Sequence, residues 1–294
     1  FQNMVIRGFH TELEAVYEEY NIGLSSDWRK VYAALFAKLF PTHPYGTQTT
    51  IGLGEHLKNP SITNIKNYFN KYYVPNNIAI CLSGDLDPDK TVASIEKYFG
   101  NWKPSAHIDI PQFPAQPALT APVDTTVVGK EAPMLFMGWR ADASKSLQLD
   151  TLEVIAQLLS NGQAGLFDLD LSQKLKVQEV SAGIADMDEY SVFYVYGQPK
   201  SGQTLQEVRS LALSEIEKLK KGNFSDDLLP SIVNNYKRYY YTQLDNNQFR
   251  AKQYVDAFIN HKDWKQEVDK LNRISKLTKA EVVRFANEFL AMLK

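Results

Sequence analysis

The sequence predicts an α/β protein, more closely α+β, built in two parts. Three observations carry this. Apolar residues recur at helical spacing through residues 10–40 and 61–100, and again beyond residue 204. Short runs rich in Val, Ile, Thr and aromatics read as strands at Thr125–Gly129, Met134–Trp139, Glu179–Ala185 and Tyr190–Tyr196. Between the two regions, Lys103–Val123 holds Pro104, Pro111, Pro114, Pro117 and Pro122, with almost no periodicity. Prolines spaced this way make a stiff, extended connector.

Taken in order, His10–Asn21 reads as helix, with Leu13, Val16, Tyr17 and Tyr20 on one side and acids between them. A second helix follows at Asp27–Phe40, and Pro41-Thr-His-Pro-Tyr-Gly46 stops it because proline cannot continue the hydrogen-bond ladder. Ser61–Tyr73 is a third helix. Asn77–Ser83 reads as a buried strand. Asp87 then caps a helix that opens on Pro88 and ends near Gly100. Past the connector the order is β-β-α-α-β-β-α-α-α-α. The helices are Leu147–Leu159, Gly165–Lys176, Thr204–Lys221, Asp226–Leu244, Gln248–Asn260 and Thr278–Leu293. The last opens on Thr278 and Glu281, a capping box. The expected division is residues 1–103, a connector at 104–122, and residues 123–294. The first part carries one strand only, and a lone strand needs partners for its backbone groups.

Composition excludes several function classes. Of 294 residues, 44% are hydrophobic and 22% charged, as in an ordinary globular chain. A net charge of −2 gives no pull on nucleic acid or anionic lipid, and no apolar run reaches the length of a membrane span. The single cysteine, Cys81, sits in an apolar run and reads as a small buried hydrophobe. Phe1-Gln2-Asn3-Met4 has no signal-peptide pattern and begins in mid-pattern, so the expectation is a protein that starts further upstream.

No self-contained catalytic site is legible. The first helix carries Glu12, Glu14, Glu18 and Glu19, and Glu12 and Glu19 lie two turns apart on one face. The plain reading is a solvated acidic face. The functional reading is one carboxylate on a metal and the other in support. A hydrolytic zinc takes about three protein ligands, and His10, His43, His56, His107 and His261 are too scattered to supply the rest. There is no Gly-x-Ser-x-Gly elbow and no P-loop. Tyr236, Tyr239, Tyr240 and Tyr241, with Lys237 and Arg238, read as helix packing with snorkelling cations rather than as a nucleic-acid platform.

Several stretches together resemble the pitrilysin/insulinase family of zinc metallopeptidases. Glu12-Leu-Glu-Ala-Val-Tyr-Glu-Glu19 looks like the family's Glu-x₆-Glu helix. Pro41-Thr-His-Pro-Tyr-Gly46 with Thr50-Ile-Gly52 is a second match. Tyr68–Pro75, Ile78–Asp85 and Ile95–Gly100 form a third, and Leu277–Ala286 a looser fourth. The resemblance implies two homologous subdomains, each a mainly antiparallel sheet packed with helices, the first incomplete here. It implies Glu19 as third zinc ligand and Glu12 as a supporting acid. The family's other two ligands and its general base lie on His-x-x-Glu-His, which this sequence lacks. Ser172 and Glu179 stand where the family's substrate-gripping Arg and Tyr would be.

The resulting expectation is a fragment of a zinc metalloendopeptidase that degrades peptides or unfolded polypeptides in an enclosed chamber. The fragment alone would be inactive and hold no zinc. Its partners would be peptide substrate and either the missing parts of its own chain or a second homologous half. Export to a bacterial periplasm or cell envelope goes with the resemblance. The rival expectation is a non-catalytic scaffold or peptide-binding subunit of the same fold.

Overall fold

The computed structural model describes residues 4–291. The expected helix end at Leu293 and the opening Phe1-Gln2-Asn3 lie outside them. The first part contains α1 (Phe9–Ser25), α2 (Asp27–Leu39), the short α3 (Pro44–Thr47) and α4 (Gly54–Lys58), then α5 (Ile62–Tyr72) and α6 (Pro88–Phe99). The second contains β1 (Leu135–Ala141), α7 (Gln148–Leu159), β2 (Glu179–Ala185), β3 (Ser191–Gln198), α8 (Leu205–Lys220), α9 (Leu228–Leu244), α10 (Asn247–Ile259), α11 (Trp264–Ser275) and α12 (Lys279–Phe289). This is an α+β chain.

Local chemistry accounts for many of the element ends. Asp87 accepts from the Lys90 N–H at the start of α6, with Pro88 at the first helical position. Thr204 with Glu207, and Thr278 with Glu281, form full capping boxes on α8 and α12. The three strands form one antiparallel sheet in the order β1-β3-β2. Leu135 faces Gly197 at one end of the first pair, and Glu179 faces Gln198 at one end of the second.

Period-two alternation splits this sheet between two cores. Met137, Trp139, Ala141, Phe193 and Val195 face the main core, where β2 meets α7 and β1 and β3 meet α8. α7 buries Leu149, Leu152, Val154, Ile155, Ala156, Leu158 and Leu159, so it is apolar nearly all round and sits enclosed by α8, α9, α11 and α12. Val192 and Tyr194 face the other way, onto Phe36, Leu39 and Phe40 of α2 and its C-terminal end. The architecture is therefore helix, sheet, helices in three layers. The connector does not separate α2 from the sheet. Gly138 permits this approach, because an added Cβ would lie 3.1 Å from both Leu35 methyls and 3.2 Å from a Leu39 methyl. Gly138→Val overpacks that contact and should cost about 1–3 kcal/mol, read as a shift in the denaturant midpoint.

Five points of the sequence reading need correction. Asn77–Ser83 is extended but belongs to no sheet, and Ile80 and Leu82 are about half exposed, 46% and 51%. No other strand among the described residues pairs with it, and Ile80 and Leu82 instead line an open cavity with Val92 and Ile95 of α6 and Tyr254 of α10. Cys81, accordingly, is half-buried rather than buried. Thr125–Gly129 is likewise unpaired, and Val128 is exposed. Gly165–Lys176 is a π-helical turn at Asp168–Ser172 rather than an α-helix, held by the Asp168 carboxylate accepting from the Asn161 and Gly165 N–H groups. Finally, α11 was not foreseen. Its Trp264, Val268, Leu271 and Ile274 do recur at helical spacing, but charged residues crowd between them. Asp263 caps it, and half-buried ion pairs fasten it to α7: Arg273 donates to Asp150 at 2.8 Å and Lys270 to Glu153 at 2.8 Å. Burial pushes the neighbouring Tyr236 phenol up to about 12. Of the tyrosine cluster, Tyr236 packs on the core, while Tyr239 and Tyr241 are exposed.

Candidate functional site

The acids of α1 fall into two sets. With about 3.6 residues per turn, Glu12 and Glu19 align along the edge of the half-buried stripe formed by Leu13, Val16, Tyr17 and Tyr20. Glu14 and Glu18 fall on the opposite side. All four are exposed. The helix starts from Gly8, whose φ of 61° lies in the left-handed region, and it is steadied by α2 and α4. Tyr20 packs so closely on Gly54 that a Cβ there would meet its ring at 2.8 Å. Seven residues of helix span roughly 10 Å, so Glu12 and Glu19 cannot chelate one ion from neighbouring positions.

The described residues do not by themselves fit a zinc ion. No group of three His, Cys, Asp or Glu among them stands close enough to hold a metal. His10, His56, His107 and His261 are exposed and apart, whereas His43 is buried and occupied elsewhere. Ser172 is half-buried at the end of the π-helical turn, and Glu179 is exposed at the start of β2. No arginine or tyrosine at those two positions reaches toward a substrate.

The Pro41–Gly46 segment proves to be a joint between the two parts of the chain. The His43 ring is 1% exposed, accepts at Nδ1 from the Tyr45 N–H at 3.2 Å, and therefore donates from Nε2 to Glu189 at 3.1 Å. The Glu189 N–H in turn donates to the Tyr45 hydroxyl. Gln116 of the connector donates to Thr42 Oγ1 at 2.8 Å, and its backbone N–H donates to the Tyr190 hydroxyl at 3.0 Å. Arg140, at the end of β1, donates to the Leu39 carbonyl and, at 2.8 Å, to the Pro117 carbonyl. Its guanidinium also lies over the Phe40 and Tyr190 rings, 5.4 and 5.8 Å from their centroids. Burial opposes its charge. Sequence reading took Pro41–Gly46 as a helix stop and passed over Arg140. The available signal was a lone arginine ending an otherwise apolar strand.

A second clasp holds the segment between the connector and β1. The Asp27 carboxylate accepts from the backbone N–H groups of Lys130 and, at 2.6 Å, Glu131, and pairs with Lys30 at 2.9 Å. The Glu131 N–H bond, then the Lys30 pair, hold its pKa below the ordinary 3.8. A lowered folded pKa contributes stability that is complete above the ordinary value and is lost as pH falls through the folded one. The Lys130 and Glu131 amide resonances should therefore move with acidification below about pH 4. In Asp27→Asn that titration should disappear.

Comparison with known proteins then places this geometry. The family model described as "Peptidase M16 inactive domain" matches residues 61–236, more than half of the chain. The chain belongs to that family. Glu12 and Glu19 lie outside the matched M16 residues. The chain is 25% identical over 268 residues to the "Zinc protease PqqE" of Helicobacter pylori, covering 88% of this chain and 59% of that protein. It thus spans little more than half the length of this curated M16 relative. The crystal structure of a protease from Helicobacter pylori superposes with a TM-score of 0.88 at 23% identity, covering 98% of this chain and 70% of that one. The first half of the periplasmic protease PqqL from Escherichia coli gives a TM-score of 0.73 at 11% identity, covering 96% and 63%. These two likenesses establish a shared fold. Among the described residues no helix is long and apolar enough to cross a membrane.

Proposed function

We propose that this chain forms part of a zinc metallopeptidase acting on peptides or unfolded polypeptides, and that within it Glu19 supplies one zinc ligand and Glu12 supports it. The observation that carries the reading is the M16 family match, joined to a relative named as a zinc protease. The exposure and alignment of Glu12 and Glu19 on α1 support it. On this reading the remaining zinc donors come from outside this chain, and the second part of the chain forms wall around the substrate. The relative named a periplasmic protease supports a periplasmic location.

A second reading has its own support. The matched family is named for an inactive domain, and the match leaves out both glutamates. Here the chain belongs to a non-catalytic scaffold or peptide-binding subunit. The deciding experiment measures bound zinc and cleavage of an unfolded polypeptide by the intact protein. Stoichiometric zinc, with cleavage that a chelator abolishes, supports the peptidase. Peptide binding with neither zinc nor cleavage supports the scaffold.

A further inference from the structure

His43 is the only buried histidine among the described residues, and it touches three segments of the chain. α3 lies at its Nδ1 and the β2–β3 hairpin at its Nε2. Phe113 of the connector meets the ring edge-on, with centroids 5.0 Å apart. Phe40, Tyr45 and Tyr190 enclose it at 6.2, 4.3 and 5.6 Å. The two nitrogens meet opposite demands. Nδ1 faces a donor, the Tyr45 N–H, and Nε2 faces an acceptor, the Glu189 carboxylate. Only the neutral ring with its proton on Nε2 satisfies both.

A second proton can go only to Nδ1. There it would point at the Tyr45 N–H, and two donors cannot bond each other. That bond is also the side-chain cap of α3, whose first residue, Pro44, has no N–H of its own. The titratable groups around the ring are Glu189, Asp188 and Tyr190 of the hairpin, Tyr45 of α3, and Arg140 of β1 behind the Phe40 and Tyr190 rings. The end of α2 and the connector present Phe40 and Phe113, which carry no charge. Glu189 balances the added charge through Nε2, so the ring stays with the hairpin and Tyr45 is let go.

We propose that His43 is a proton-operated latch: a second proton on its ring releases the Tyr45 N–H and uncaps α3, while the bond to Glu189 persists. The Pro41–Gly46 joint between the two parts of the chain then loosens from its α3 side. The proposal needs no zinc and uses neither Glu12 nor Glu19, so it stands or falls apart from the peptidase reading.

The test uses the intact protein with nitrogen-15 in its histidine rings, followed by NMR between about pH 8 and pH 5, the span in which histidines change charge. At the alkaline end the His43 ring should carry its proton on Nε2, with Nδ1 bare. On acidification it should gain the second proton. Over the same interval the Tyr45, Gly46 and Thr47 amides should lose protection from hydrogen exchange by about fivefold or more, as loss of a helix cap requires. These rates are corrected for the intrinsic effect of pH on exchange. His43→Asn supplies a cap oxygen that does not titrate and has no atom at the Nε2 position. In that variant α3 should be equally protected at both ends of the interval. A His43 ring that keeps one proton throughout, or carries two from the start, overturns the proposal. So does a second proton that leaves the Tyr45 amide unmoved, or an asparagine variant whose α3 still responds to pH.

Discussion

Replacing Glu19 with glutamine in the intact protein should lower zinc affinity by about 100-fold or more, with peptide cleavage falling alongside. Disturbing only an outer partner of a ligand costs about 10–100-fold, and removing a ligand's charge costs at least as much. Glutamine keeps the length of the side chain and its helical preference, so α1 should remain folded. Glu18→Gln is the matched control. It stands next in sequence, is equally exposed, and lies across the helix from the Glu12–Glu19 line. Glu12→Gln should give a smaller loss than Glu19→Gln. Metal content by mass spectrometry and turnover on an unfolded substrate read all three. Wild-type zinc and turnover in Glu19→Gln would remove Glu19 from the site.

Phe40→Ala should destabilise the chain by about 3–5 kcal/mol, the usual cost of emptying a buried phenylalanine position. Phe40 is fully buried, and its ring meets those of Phe36, His43, Tyr45 and Tyr190 with the Arg140 guanidinium above. The cavity would open where α2, the connector and the β2–β3 hairpin meet. The loss should therefore appear as uncoupling as well as lowered stability. Hydrogen exchange should quicken in α2 and at Tyr190 before it quickens in α7. A uniform rise across both regions would mean that this joint does not divide the chain into separately opening units.

How much of this was legible beforehand follows the range of the interactions. The Asp87–Pro88 start of α6 and the Thr278–Glu281 box of α12 are set by bonds three residues apart. The span of β2 and the pairing of β2 with β3 follow from alternation and a short turn. Even α11 carried its signal in Asp263 and a four-residue apolar repeat. Glu12 and Glu19 were visible because seven-residue spacing returns to one helix face. Their proposed role came from family likeness alone, since nothing around them on α1 completes a metal site.

The sequence by itself determined most of the long helices, the hairpin and the capping, because each rests on residue type and short-range spacing. Tertiary structure alone decided that α2 crosses to the sheet, that His43 is consumed by Glu189 rather than free for a metal, and that Arg140 locks the joint. Those contacts join residues 146 and 101 positions apart. Tertiary structure also decided which strands find partners: Asn77–Ser83 and Thr125–Gly129 have strand composition and remain unpaired. A strand is completed by its neighbour's backbone, and no local pattern in a sequence specifies where that neighbour will be.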